Sequence, residues 1–193
     1  MHPIKHLKTI NRHRFLVMKY CFKVGLYRQG LTHDLSKYSF PEFYIGAKYY
    51  DPTRSPHVGE RIEKGYSTAW LHHKGRNKHH FEYWFDYVMD DPSSKTEIPH
   101  LVGLRMPTKY LVEMAIDRIA ASKVYKGENY TDNAPLDYYM AKDEYLLMNE
   151  DTRALLKLIL RTLASKGEEY TFRFIRYRVL RDGYNLLKGR KKM

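Results

Sequence analysis

Cysteine is almost absent from this chain: Cys21 is the only one in 193 residues. No internal disulfide can form and no multi-cysteine zinc site exists, and an intracellular, cytoplasmic location is the reading that follows. Long apolar runs are also missing. None approaches the ~18 residues of a membrane span, so no membrane partner is expected. The opening MHPIKHLKTINRHR has the basic start of a signal peptide but neither an apolar core nor a small-residue cleavage site. Sustained apolar–polar alternation is lacking, which argues against sheet. Acidic residues are absent from the first 30 positions, which carry seven Lys and Arg.

What is present suits a folded globular chain. Apolar residues make up 43% and charged residues 29%, enough for a real core in a single domain. The net charge of +12 is uneven. Residues 161–193 hold ten Lys and Arg against three acids, whereas the middle of the chain is close to neutral. Two basic ends invite a phosphate-bearing partner, with nucleic acid among the candidates. The plainer alternative is a solvated basic surface.

Apolar residues recur at helical spacing through most of the sequence. His6, Ile10, His13, Val17, Tyr20 and Val24 form one stripe over residues 4–24. Ser39 reads as a helix N-cap, with Pro41 in the first turn and Glu42 completing a Ser-x-x-Glu box. Helices are expected over 59–75, 79–90 and 107–125, the last opened by Pro107. More follow near 135–148 and 151–165, with Gly167 ending the latter before a closing basic helix to about 188. The fold class expected is all-α.

Polar residues in apolar surroundings mark where chemistry could sit. His13 lies inside the stripe of the first helix, where two ring nitrogens need partners and water is scarce. His6, one heptad earlier, is its competitor. His33 and Asp34 stand together in GLTHDLSKYS. The stretch WLHHKGRNKHHFEYW packs four histidines into nine residues. On a continuous helix His73 and His80 would share one edge, and His72 and His79 another. Asp117 falls opposite the Val112, Ile116 and Ile119 face of its helix, alongside Tyr110, Met114, Ala121 and Val124. A buried carboxylate needs a cation, either Arg118 or a metal.

The order His, His-Asp, His cluster, Asp on separate helices resembles the HD-domain superfamily of metal-dependent phosphohydrolases. HDLSK is similar to its HD-x-G-K element, and Asp117, Ala121, Tyr125 and Lys126 match the conserved stretch of the HD-GYP branch. The fuller pattern H…HDLSK…H…NxHH is also similar to a bacterial and phage family without an assigned function. The resemblance covers about residues 6–126. It implies an HD-like helical bundle over residues 1–126, with residues 127–193 as a helical extension packed on it, the whole forming one domain. Glycine of HD-x-G-K is Ser36 here, and Ala120 and Lys123 replace the second Asp and the Arg of the HD-GYP stretch. The Gly-Tyr-Pro signature is absent, so cyclic-dinucleotide cleavage is not expected.

The resemblance also implies roles. His13, His33, Asp34 and Asp117 would hold one ion, and His73 with His79 or His80 a second, Asp34 bridging the two. The ions would be divalent: Mn, Zn, Fe, Mg or Ni. Lys37 would meet a substrate phosphate. From their charge and position, Arg76 and Asn77 at the rim and Lys123 are further candidate substrate contacts, and Glu42 a nearby acid. The expected reaction is hydrolysis of a phosphoester, in a phosphorylated small molecule or nucleotide, by a metal-activated water. Two other readings stand beside it. One is an HD-fold di-iron oxygenase. The other is a non-enzymatic basic nucleic-acid-binding protein with a structural metal. The closing helix is expected to pack on the body or on a second subunit, as in a homodimer.

Overall fold

The first helix, α1 (Pro3–Val24), sets the frame. A computed structural model of the chain describes residues 1–141, 143 and 147–188. Proline opens α1 in its first turn, where a missing N–H costs nothing. Its buried face holds the stripe read from the sequence, with Cys21 added. A short helix, α2 (Tyr27–Thr32), folds back on α1. Gly30 sits at the crossing, where a Cβ would come within 3.0 Å of the Cys21 Cβ. A 3₁₀ turn (Leu35–Tyr38) leads into α3 (Phe40–Lys48), and α4 (Pro56–Lys64) and α5 (Thr68–Lys74) follow.

α6 (Thr108–Lys126) runs through the middle. Its first half is buried nearly all round, from Leu111 to Ile116, as expected of a helix with neighbours on several sides. α7 (Ala134–Met140) and α8 (Glu150–Phe174) complete the body. Leu155, Leu156, Ile159, Leu160 and Leu163 of α8 are fully buried in one cluster with Val17, Cys21, Ile116 and Ile119. Each such side chain contributes about 1.5–3 kcal/mol by leaving water. The C-terminal helices therefore share the core of α1 and α6. A π-helical turn (Ile175–Val179), a short α9 (Leu180–Asp182) and a 3₁₀ turn (Gly183–Leu187) end the described chain.

The chain is mostly helical, as the periodicity predicts, and four local expectations change. Residues 79–90 do not form a helix. A 3₁₀ turn (Phe81–Trp84) passes into β1 (Phe85–Val88), which pairs antiparallel with β2 (His100–Gly103). The aromatic and β-branched content of FDYV suits an extended, half-buried surface. Residues 59–75 divide into α4 and α5, because Gly65 takes a left-handed conformation at φ 81°. Ser39 occupies the N-cap position of α3, as expected, but its side chain makes no capping bond. Its hydroxyl donates to the Ser36 carbonyl at 2.6 Å, and Glu42 is used elsewhere. The helix expected near 135–148 stops at Met140, and part of that range lies outside the described residues. Gly167 breaks the helical path at φ 75° and ψ 175°, and the helix resumes beyond it.

Candidate metal centre

α1, α6 and the end of α2 bring four side chains together. His13 comes from α1, Asp117 from α6, and His33 and Asp34 from the link after α2. His13 Nε2 lies 3.0 Å from Asp117 Oδ1 and 3.4 Å from His33 Nε2. His33 Nε2 lies 3.3 Å from Asp34 Oδ2 and 3.5 Å from Asp117 Oδ1. Arg14, one residue after His13, holds the link in place: its guanidinium donates to the carbonyls of His33 and Leu31. Asp34 takes a left-handed backbone at φ 53°, alone among the described non-glycine residues. That conformation is costly for a residue with a Cβ, and here it turns the carboxylate into the cluster.

α5 and the turn after it deliver the histidine stretch to the other oxygen of the same carboxylate. His73 Nε2 and His79 Nε2 lie 3.3 and 3.4 Å from Asp34 Oδ1. His80 belongs to this set; its ring centroid is 4.2 Å from that of His79 and 4.7 Å from that of His73. The shared helix edge expected for His73 and His80 does not exist, because α5 ends at Lys74. The turn places His79 and His80 instead. α5 itself is seated by Glu60 of α4, which accepts from the Ser67 and Thr68 hydroxyls at 2.6 and 2.8 Å. Ser67 in turn caps α5 by accepting from the Trp70 N–H.

Two glutamates hold the rings from behind. Glu113 Oε1 accepts from His33 Nδ1 at 2.9 Å and lies 3.1 Å from His79 Nδ1. Glu42 takes His73 Nδ1 on Oε2 at 2.7 Å and His72 Nδ1 on Oε1 at 2.6 Å. A carboxylate at Nδ1 leaves the Nε2 lone pair free and more basic, the arrangement metal-binding histidines use. Asn77 adds a brace, donating to the Ser36 hydroxyl and to the His73 carbonyl, each at 2.8 Å.

The electrostatics follow from burial against pairing. Burial opposes charge on Asp34 and Asp117, yet the facing histidines hold both carboxyls well below their ordinary range, with Lys37 assisting at Asp34. Burial also opposes the imidazolium of His33, and Asp34, Asp117 and Glu113 overcome it, raising its pKa. His73 and His80 go the other way: burial lowers both and keeps the rings neutral.

The donors fit cations. Asp34 Oδ1 and the Nε2 atoms of His79 and His80 are buried without a hydrogen-bond partner among the described residues, and Oδ2 meets only the Lys37 ammonium and the facing histidines there. Ions with bonds of ~2.1 Å space their donors about 3.0 Å apart in an octahedron and about 3.4 Å in a tetrahedron. The donor spacings, 3.0 to 3.6 Å, lie at or just beyond these values. One set, His13, His33, Asp34 and Asp117, offers two imidazoles and two carboxylates; the other, Asp34, His73, His79 and His80, offers three imidazoles and one carboxylate.

Other expected residues lie elsewhere or serve otherwise. His6 is outside the cluster, packed against Phe43 and pressed on Gly46, where a Cβ would fall 2.0 Å from its Nε2. Burial, helped by Lys37, lowers its pKa to about 4. Arg118 lies over the Tyr139 ring, and the groups that face the Asp117 carboxylate are His13 and His33. Lys37 Nζ is 2.6 Å from Asp34 Oδ2, its side chain a quarter exposed. Arg76 is exposed and, among the described residues, donates to the His72 carbonyl alone. Lys123 is away from the centre: it pairs with Glu168 and lines a separate pocket of about 380 Å³ with Arg12, Phe15 and Tyr130. Asn77 is a buried brace, not a rim residue. Glu42 has both oxygens engaged by histidines and is a positioning group, not a free acid.

Sequence reasoning missed Glu113 and His57. Glu113 had a readable signal, since it precedes Asp117 by four residues and so shares its helix face. His57 had none. Its ring packs 5.1 Å from Trp70 and 6.0 Å from His73, and burial pushes its pKa down to about 3.

Comparison with known proteins finds no curated protein and no solved structure that matches. A family model does match, over residues 2–162, and this range contains every residue of the centre. The chain belongs to DUF5662, a family of unknown function.

Proposed function

We propose that this protein is a metal-dependent phosphohydrolase that cleaves a phosphoester, with nucleotides among its substrates, using two divalent ions. The observation that carries the reading is the division of the Asp34 carboxylate. Oδ2 faces His13 and His33 and carries the Lys37 ammonium at 2.6 Å, while Oδ1 faces His73 and His79. The HDLSK and Asp117 resemblances to HD-domain phosphohydrolases support the same reading. Two bound ions would lower the pKa of a water and offset charge on the phosphate. The chain's own residues do the rest. Asp34 bridges the two donor sets. Glu113 and Glu42 keep Nε2 of His33, His79 and His73 directed at the centre. Lys37, at the partly exposed edge of the cluster, is placed to hold a substrate phosphate as a point charge.

The test is metal analysis of aerobically purified protein together with turnover of bis(p-nitrophenyl) phosphate and a nucleotide panel. Two equivalents of Mn, Zn, Mg, Ni or Fe with phosphate release support hydrolysis. Two irons with a mixed-valent signal and no phosphate release would replace it with the oxygenase reading. No metal and no turnover would reject both.

A further inference from the structure

α1 turns two rows of side chains to solvent, side by side. One is apolar: Ile4, Leu7, Phe15 and Phe22, of which Ile4 and Phe15 are 71% and 60% exposed. At 3.6 residues per turn these four fall within an arc of about 80°. The other is basic: Lys5, Lys8, Arg12, Lys19 and Lys23, in the neighbouring arc of about 60°. All five are exposed, and among the described residues none joins an ion pair; Lys23 lies over the rings of Tyr20 and Phe172. No acid occurs in α1 or anywhere in residues 1–30. The core face, with His6, Ile10, His13 and Val17, is on the other side; of the two rows, Phe22 is packed locally, against Gly30 and Tyr27 of α2. Single exposed apolar residues are ordinary, but four on one arc of a helix, interrupted only by Asn11, mark a contact surface. Phe22 extends the row to α2 through its ring contact with exposed Tyr27.

We propose that this face of α1 docks on an anionic lipid surface. The apolar row would sit at the boundary of headgroups and acyl chains, and the basic row on lipid phosphates. Charge chooses the occupant. A second copy packed by the same face would bring two unpaired basic rows together, which costs free energy. A nucleic acid would satisfy the basic row but leave four large apolar side chains in water, since its contacts are mainly with phosphates. An interfacial helix lies in the membrane plane and needs no span, and no described helix is long and apolar enough to cross a membrane. The proposal is independent of the phosphohydrolase reading.

Full-length protein is sedimented with phosphatidylcholine vesicles, with and without phosphatidylglycerol. Binding is expected only with the anionic lipid and is released by salt. Each cation near such a surface contributes about fivefold, so Lys8→Ser/Arg12→Ser weakens binding about thirtyfold. Ile4→Ser/Phe15→Ser weakens it at least roughly tenfold. Circular dichroism and metal content of both variants should match the parent, since all four side chains are exposed. Equal binding to both vesicle types, or none, overturns the proposal. So does binding of duplex DNA or RNA that Ile4→Ser/Phe15→Ser leaves unchanged, which makes this a nucleic-acid face. A parent dimer that the same variant converts to a monomer would make it a self-association face and overturns the proposal as well.

Discussion

His33 Nδ1 is hydrogen-bonded at 2.9 Å to Glu113 Oε1, which leaves Nε2 on the opposite edge of the ring to face His13, Asp34 and Asp117. The same glutamate oxygen lies 3.1 Å from Nδ1 of His79, whose Nε2 faces the other oxygen of Asp34. One carboxylate thus orients a histidine in each donor set. Glu113→Ala should weaken both sites together, each by roughly 10- to 100-fold. Chelator-competition titration measures this directly. Loss confined to one site would show that Glu113 serves only that one.

His73 belongs to the imidazole-rich set alone. His73→Ala should lower the metal content by one ion per chain and cut phosphodiester turnover roughly a hundredfold or more. Unchanged stoichiometry and unchanged turnover would remove the second ion from the proposal and return the histidine stretch to a packed polar turn.

Lys37 tests the substrate side. An ammonium holding a phosphate contributes about 1.5–3 kcal/mol, so Lys37→Met should raise KM for a phosphorylated substrate by roughly 10- to 100-fold. Metal affinity should not fall, because the ammonium competes with a cation for Asp34 Oδ2. Weaker metal binding in this variant would assign Lys37 to holding the centre together.

Glu60 supplies a pH prediction away from the donor atoms. Burial opposes its charge, but hydrogen bonds from Ser67, Thr68 and Lys64 prevail and lower its pKa to about 2. The folded state then binds fewer protons here than the unfolded state. The stabilisation is present above the unfolded pKa of about 4.5 and is lost as pH falls through about 2. Glu60→Gln should therefore cost about 1–3 kcal/mol near neutral pH, and the gap to the parent should narrow below about pH 4. Denaturant unfolding at several pH values checks both. A pH-independent gap would assign the cost to packing.

Legible along the chain were the helical character, the run of α1 and α6, and the pool of histidines and aspartates from which the cluster is drawn. These depend on local periodicity and on the cost of burying polar groups, both of which can be read along a chain. Tertiary structure decided the rest. The choice of His13 over His6 depends on Gly46 of α3 closing on His6, a contact 40 residues away in sequence. The histidine stretch reaches Asp34 through a turn, not the helix edge that spacing suggests, and Glu42, which reads as part of a capping box, instead holds His72 and His73 across 30 residues. Lys123 reads as a substrate contact in sequence but is drawn to Glu168 on α8. In each case the deciding partner comes from a distant segment, and pairwise distance across a fold leaves no periodic signal in the chain.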